Sequence, residues 1–536
     1  MENRVCIHNL KRGFCPFSPK PERHIFLFFI VLVSSSLIFE FNLFWPDISF
    51  AEITSEDSLY TVALGAYNNG FLDLAVDQFQ KFLELYPDSK KVPFAWFRIG
   101  EACRIQNKNS LAEKAYKKVL DLFPGHKLTH ITLFRLSGVM FRQQDFSSAI
   151  SGYRRLIEEA PSSDFAPEAR FWIAESLYHL KRYSEALTAY NTYAGDSNRD
   201  KYIPQALYGA GWCLIELGRY DEAVKQFEEL LNKNLSEGLI SQIHLGLGDA
   251  LFEQKDYKGA LTHYSAYVRD NPEDQDKIVL KKGLALSYLG RDRDAIGIFQ
   301  AFLNKAPKND SKIPQVLFQL GQIFFKQKRY KEGVDTFTII EKRYPDQSLI
   351  PEVVLQIGLG YSKMNKTEPA KQYLQKGIKL FSDLEKLSMA SFYLGNIYYQ
   401  EGQLKEAIEF YSKARKTKNS SLAAEASYRL AESLFSSGEH EKALHEYNSL
   451  VFSAPDQLLW IQMARFRLGN IYEQKGEEDL ALRFYNQVTE MKGGTKDLSQ
   501  AAQERIMAIR NIKDVRKKGE RINEMGRIKD KEKINE

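Results

Sequence analysis

His126 and His130 stand four residues apart, the spacing at which two imidazoles on one helical face can share a zinc ion. A hydrolase of that type also needs a glutamate directly after the first histidine, and Lys127 is there instead. Pro124 and Gly125 further assign His126 to a link rather than to a helix. His440 and His445 are five apart, which points them differently around a helix. The chain has no Cys-x-x-Cys pair, phosphate-binding glycine loop or nucleophile elbow. Of its four cysteines, Cys103 and Cys213 lie too far apart to bridge and read as buried thiols, in effect small hydrophobes. A metal-dependent hydrolase is thus disfavoured, and no catalytic residue, metal or cofactor is expected.

Another set of polar groups recurs in step. Glu101, Glu175, Asp249, Gln322, Asn396 and Asn470 follow one another at intervals of 73 or 74 residues, with Trp212 and Glu432 among the positions halfway between. Three residues after members of this series come Arg104, Tyr178, Phe252, Phe325, Tyr399 and Phe435. A face mixing carboxylates, amides and aromatic rings suits an extended or helical peptide, because the rings supply contact area and the polar groups orientation. These residues are the candidate partner-binding set. The carboxylates and amides are expected to line a groove or simply to meet solvent.

What must position them is itself periodic. Ala75, Ala112, Ala149, Ala186, Ala223, Ala260, Ala295, Gly333, Ala370, Ala407, Ala443 and Ala481 are spaced 35 to 38 residues apart, nearly always 37. Twelve residues before each of these anchors stands Gly, Ala or Ser, so two helices can approach closely there. Four residues after them come Phe79, Tyr116, Tyr153 and their successors to Tyr485, aromatic in eleven of twelve cases, bulk enough to fill the space between helical pairs. Gly70, Gly218, Gly290, Gly402, Gly438 and Gly476 fall five before the anchor, where a first helix ends in a left-handed residue. Pro87, Pro124, Pro161, Pro272, Pro307, Pro345 and Pro455 fall twelve after it and stop the second helix. The aromatic series fifteen before the anchor, which includes Phe97, Phe171 and Phe392, is so regular that it reads as structural.

Leu468 and Gly469, Tyr472, Ala481, Tyr485 and the closing prolines sit at offsets that resemble the tetratricopeptide repeat family over residues 56–496. The resemblance implies an all-α, right-handed α-solenoid of about twelve helical hairpins whose inner face binds proteins. The lengthened repeat, with links such as Tyr86 to Ser89 leading to Pro93, is similar to bacterial envelope members such as the Tol-Pal coordinator and the outer-membrane assembly lipoprotein. The family's clamp for C-terminal carboxylates needs paired Lys or Arg on that face, and Arg104 stands almost alone, so a basic or apolar peptide is the expected ligand.

Residues 25–45 form an apolar run preceded by Arg4, Lys11, Arg12, Lys20 and Arg23 and followed by Asp47, Glu52, Glu56 and Asp57. The positive-inside rule keeps the N-terminus in the cytoplasm and sends the repeats across. Residues 1–51 are expected to be a signal peptide, cut after Ala51, or an uncleaved inner-membrane anchor. The repeats, 52–496, are therefore expected in the periplasm, and membrane contact only through the N-terminal segment. Neither Cys6 nor Cys15 follows the apolar run, so a lipoprotein anchor has no cysteine to use.

Residues 497–536 divide into a capping helix, with Leu498, Ala502, Ile506, Ile509 and Ile512 on one stripe, and a charged tail. With a net charge of only +5 on 536 residues, nucleic acid is not an expected partner, and a helical-repeat RNA binder is the disfavoured alternative. The leading expectation is a non-enzymatic scaffold for proteins or peptides of the cell envelope, in cell-wall, outer-membrane or polysaccharide-export assembly. Oligomeric state is not legible in the sequence.

Overall fold

The computed structural model describes residues 55–196 and 202–534, and every regular element among them is helical. The apolar run at 25–45, Cys6 and Cys15 lie outside the described residues. No helix among the described residues is long and apolar enough to cross a membrane. The chain divides into two compact units, Met1–Arg291 and Asp292–Glu536, a boundary inside the seventh repeat that no periodicity marks.

The first unit holds six helical pairs. They are α1 (Glu56–Asn68) with α2 (Leu72–Leu85), α3 (Val92–Ile105) with α4 (Asn109–Leu122), and α5 (Thr129–Arg142) with α6 (Phe146–Glu159). Next come α7 (Ala166–His179) with α8 (Tyr183–Asp196), α9 (Ile203–Glu216) with α10 (Tyr220–Leu231), and α11 (Glu237–Glu253) with α12 (Tyr257–Asp270), then α13 (Val279–Tyr288). In the second unit α14 (Asp292–Lys305) precedes five pairs: α15 (Ile313–Lys326) with α16 (Tyr330–Arg343), α17 (Ile350–Lys363) with α18 (Thr367–Leu380), and α19 (Leu384–Gln400) with α20 (Leu404–Ala414). The others are α21 (Ser420–Ser436) with α22 (His440–Ser453) and α23 (Leu458–Gln474) with α24 (Glu478–Thr489), and α25 (Lys496–Ile534) follows. Within each unit the second helix of a pair packs on the first helix of the next, and first helices also touch, as α7 does α9.

Side-chain size explains that stacking. The ring of Tyr264 is fully buried, and a Cβ added at Gly248, twelve before the anchor, would lie 2.5 Å from it. Gly100 meets Tyr116, Gly395 meets Tyr411 and Gly469 meets Tyr485 in the same way, so the missing side chain on the first helix is the seat of the aromatic on the second. Phe97, Phe171 and Phe392 are buried, in keeping with a structural role, and so are both thiols, Cys103 and Cys213.

The left-handed turn is more general than its glycines. Asn107, Gln144, Lys181, Lys255, Lys328 and Asn365 take positive φ at the place where the other six repeats carry glycine. At Lys181 the geometry is that of a Schellman cap: its N–H donates to the Tyr178 carbonyl at 2.9 Å, and the Arg182 N–H to Leu177 at 3.0 Å. A lysine strains at φ 61° where glycine does not. Lys181→Gly is therefore expected to stabilise the protein by about 1 kcal/mol, read as a rise in the thermal midpoint.

The last helix begins as a lid. Leu498, Ala502, Ile506 and Ile509 join Ala481, Tyr485 and Val488 in one core, whereas Ile512 is exposed and the helix runs on to Ile534. The link before it, at Gly493 and Gly494, is tied down by buried Gln462, which accepts the Thr495 N–H at 2.7 Å.

Candidate partner-binding face

The first helices of the pairs carry all the candidate residues. Glu101 and Asp249 are buried, with Phe252 at the edge of burial; Arg104, Glu175, Tyr178, Trp212, Gln322, Phe325, Asn396, Tyr399, Glu432, Phe435 and Asn470 are half-buried. Hydrogen bonding gives the periodic carboxylates and amides an internal role that spacing did not reveal. In six of the seven cases the tyrosine fifteen residues later, on the second helix of the same pair, donates its hydroxyl to them; Gln322 has Phe337 there instead. Tyr190 reaches Glu175 at 2.6 Å, Tyr264 reaches Asp249 at 2.9 Å, Tyr411 reaches Asn396 at 2.8 Å and Tyr485 reaches Asn470 at 2.6 Å. Tyr116 donates to Glu101 and Tyr447 to Glu432.

A buried phenol needs an acceptor, so the repeat chooses its residue on the first helix by what it carries on the second. Where that partner is Phe79, Phe227, Phe299 or Leu374, the acceptor position holds Leu64, Trp212, Leu284 or Leu359; Gln322 opposite Phe337 and Gly138 opposite Tyr153 depart from the pattern. The rule was legible in the sequence as a tyrosine and a polar residue fifteen apart.

Cations from the neighbouring repeat complete three of these groups. Arg467 bonds Glu432 through two nitrogens at 2.7 and 2.6 Å, Lys281 bonds Asp249, and Arg135 stands 3.4 Å from Glu101, which Arg104 also binds at 3.0 and 2.9 Å. Arg135, Lys281 and Arg467 occupy one register position, fourteen before the anchor, that the spacing argument passed over. Burial pushes the Glu101 carboxyl up, but bonds from Arg104 and Tyr116 and the charges of Arg104 and Arg135 outweigh it, leaving it below the ordinary carboxylate range. Arg104 is thus spent on Glu101 and is not an open clamp residue.

Glu175 behaves differently. Burial pushes its carboxyl up to about 7, against only the Tyr190 bond, which lowers it. A carboxyl whose pKa is higher folded than unfolded binds its proton more tightly in the fold, so stability falls as pH rises from about 4.5 to about 7 and stays low above. Glu175→Gln is expected to leave stability unchanged at pH 4 and to raise it by about 2 kcal/mol at pH 8, a figure reduced for partial exposure of the group. Urea titrations at the two pH values read the difference.

The rings three residues further along form the second stripe. Each leans on the first residue of its own second helix: Phe141 on Phe146 at 5.3 Å, Tyr178 on Tyr183 at 5.5 Å, Phe252 on Tyr257 at 5.3 Å, Phe325 on Tyr330 at 5.6 Å and Phe435 on His440 at 4.8 Å. Each ring is partly covered by that contact, and all but Phe252 keep some exposed surface. Tyr399 adds a hydroxyl 3.5 Å from Ser436 Oγ.

The histidines have local uses. His126 Nδ1 accepts the Leu128 N–H at 3.2 Å, and its ring sits edge-on to Phe94. Among the described residues no group of three or more His, Cys, Asp or Glu is placed to hold a metal ion.

Comparison with known proteins agrees on the repeat. Tetratricopeptide repeat models match residues 60–127, 208–275 and 355–421, and others of that description match 279–309, 315–346, 398–463 and 464–494. A model described as anaphase-promoting complex, cyclosome, subunit 3 matches residues 142–230. The chain is 25% identical over 158 residues to the type IV pilus assembly protein PilF of Pseudomonas aeruginosa, an alignment taking in 27% of this chain and 60% of that protein. Among solved structures it is similar to the C-terminal part of a TPR repeat-containing protein from Cytophaga hutchinsonii, with 19% identity, TM-score 0.39, and coverage of 52% of this chain and 98% of that one. A tetratricopeptide repeat protein from Parabacteroides merdae gives 16% identity, TM-score 0.38, and coverage of 49% and 98%. Yeast Tom70 gives 15% identity, TM-score 0.33, and coverage of 86% and 96%.

Proposed function

The chain belongs to the tetratricopeptide repeat family, and from that premise we propose that it is a non-enzymatic scaffold of the bacterial cell envelope that holds proteins or peptides along the faces of its first helices. One observation carries the reading: Tyr178, Trp212, Phe325, Tyr399 and Phe435 are half-buried on that face, so rings that are partly covered and partly exposed recur along each unit. Half-buried aromatics give a ligand large contact area with little further loss of side-chain freedom.

The envelope location rests on the apolar run at 25–45 with its basic leading flank, and the partial likeness to a pilus assembly protein is in keeping with it. The exported repeats then assemble partners for cell-wall, outer-membrane or polysaccharide-export work. In-cell crosslinking with mass spectrometry is expected to recover the same envelope proteins in replicate, joined through residues of the first helices. A reporter fused after residue 60 is expected to be active only in the form that works outside the cytoplasm. Crosslinks confined to cytoplasmic proteins would remove the envelope assignment, and failure to recover any reproducible partner would remove the scaffold.

A further inference from the structure

Of the four carboxylates that stand eleven residues before an anchor and accept the tyrosine fifteen residues on, three have a cation beside them, and one does not. Glu101 has Arg104 and Arg135, Asp249 has Lys281, and Glu432 has Arg467. Glu175 accepts the Tyr190 hydroxyl at 2.6 Å, and no Lys or Arg pairs with it among the described residues. The gap has a structural cause. The cation shared by the other three comes from one position on the next first helix, and in the fifth repeat that position is Gly209. A Cβ at Gly209 would lie 2.6 Å from Cζ of Tyr190, so the fold cannot seat a lysine or arginine there without moving the tyrosine that holds Glu175.

The surroundings are aromatic. Trp172 and Tyr178 lie one turn to either side of Glu175 on α7, and Trp212 holds the equivalent position on α9, which packs against α7. All three are half-buried and rest on the same core cluster. We propose that Glu175, walled by Trp172, Tyr178 and Trp212, is a subsite for the ammonium or guanidinium group of a lysine or arginine side chain on a bound protein segment.

The subsite rests on the scaffold reading and narrows its partner. Charge selects the occupant. A cation restores the ion pair that the other three acids have within the chain, and the ring faces attract it further. An acidic or phosphorylated side chain would bring a second negative charge to a half-buried carboxylate, and an apolar one would cover that carboxylate unpaired.

A randomised dodecapeptide library, selected on the detergent-solubilised full-length protein, is the probe. The enriched peptides are expected to share a Lys or Arg at one fixed position. The tightest of them is expected to bind Glu175→Gln and Trp212→Ala at least about tenfold more weakly, whereas its Lys/Arg→Met analogue binds the original protein and Glu175→Gln alike. Glu175→Gln retains an oxygen for the Tyr190 hydroxyl, and circular dichroism checks that it folds. Enriched peptides with no fixed basic residue, or unchanged binding by Glu175→Gln, overturn the subsite and leave the scaffold standing. Absence of any enrichment counts against both.

Discussion

Gly211→Val in the full-length protein is expected to strip hydrogen-exchange protection from α9 and α10, lowering their opening free energy by about 3 kcal/mol. The Phe227 ring is fully buried, and a Cβ on Gly211 would lie 2.4 Å from its Cε1 and 2.5 Å from Cζ. The ring has no retreat, because a Cβ on Gly246, from the following repeat, would come within 2.8 Å of Cζ. Phe227 is held between two bare stretches of backbone, and a valine on one of them must part the helices. Stability in a stacked array is a sum of each repeat and its neighbour interfaces, so protection in α21 to α24 should be unchanged. Gly65→Ala in α1 is the control: nothing lies within 4 Å of its would-be Cβ, and the variant should be more stable by up to about 1 kcal/mol. Normal exchange in α9 and α10 of Gly211→Val would show that the small residues do not set the helix spacing.

The second large effect lies in the second unit. Arg467→Met leaves Glu432 with the Tyr447 hydroxyl but without its two charge-assisted bonds, in a site where the glutamate side chain is only 13% exposed. Breaking one side of a buried pair costs about 3–5 kcal/mol, and the arginine's 37% exposure brings the expected loss at pH 7 to about 2 kcal/mol. Burial pushes the Glu432 carboxyl up, yet bonds from Arg467 and Tyr447 together with the arginine's charge hold it below its ordinary value. Its contribution is therefore complete above the unfolded pKa of about 4.5 and fades as pH falls through the lower folded value. In the variant the unpaired carboxyl protonates more readily, so its deficit against the original protein should shrink on acidification from pH 7 to pH 4. The chain also supplies a remedy. Four of the five repeats with Phe or Leu in place of the tyrosine carry an apolar residue opposite, as Leu64 with Phe79 and Leu359 with Leu374. Arg467→Met combined with Glu432→Leu and Tyr447→Phe should recover to within about 1 kcal/mol of the starting stability, because it removes the unpaired carboxylate together with the Tyr447 hydroxyl that would be left without it. Urea titration followed by fluorescence compares the three proteins; a triple variant no better than the single one would mean that the pair is not what Arg467 contributes.

Much of this protein was readable in advance because the signals were local and repeated. A small residue twelve before an anchor and an aromatic four after it are consequences of one helical crossing, so twelve imperfect copies reinforce each other. The same averaging hid what varies between copies. Glycine marked six left-handed turns, but Lys181 and five other side chains take that conformation too, since the Schellman bonds and the packing around them hold the backbone there. The polar series was also found, yet its bonds to tyrosine were not. Spacing puts Glu101 and Glu175 in equivalent places and cannot say that one is neutralised by Arg135 while the other faces a glycine, Gly209.

Sequence by itself determined the family, the helical pairing and the positions of the faces, because each follows from residue size and helical period within about forty residues. Tertiary structure decided the electrostatics of those faces. Whether a carboxylate is an acceptor within the core, half of an ion pair or an unneutralised group depends on which side chain the next repeat brings alongside, and that is fixed only when the helices have packed.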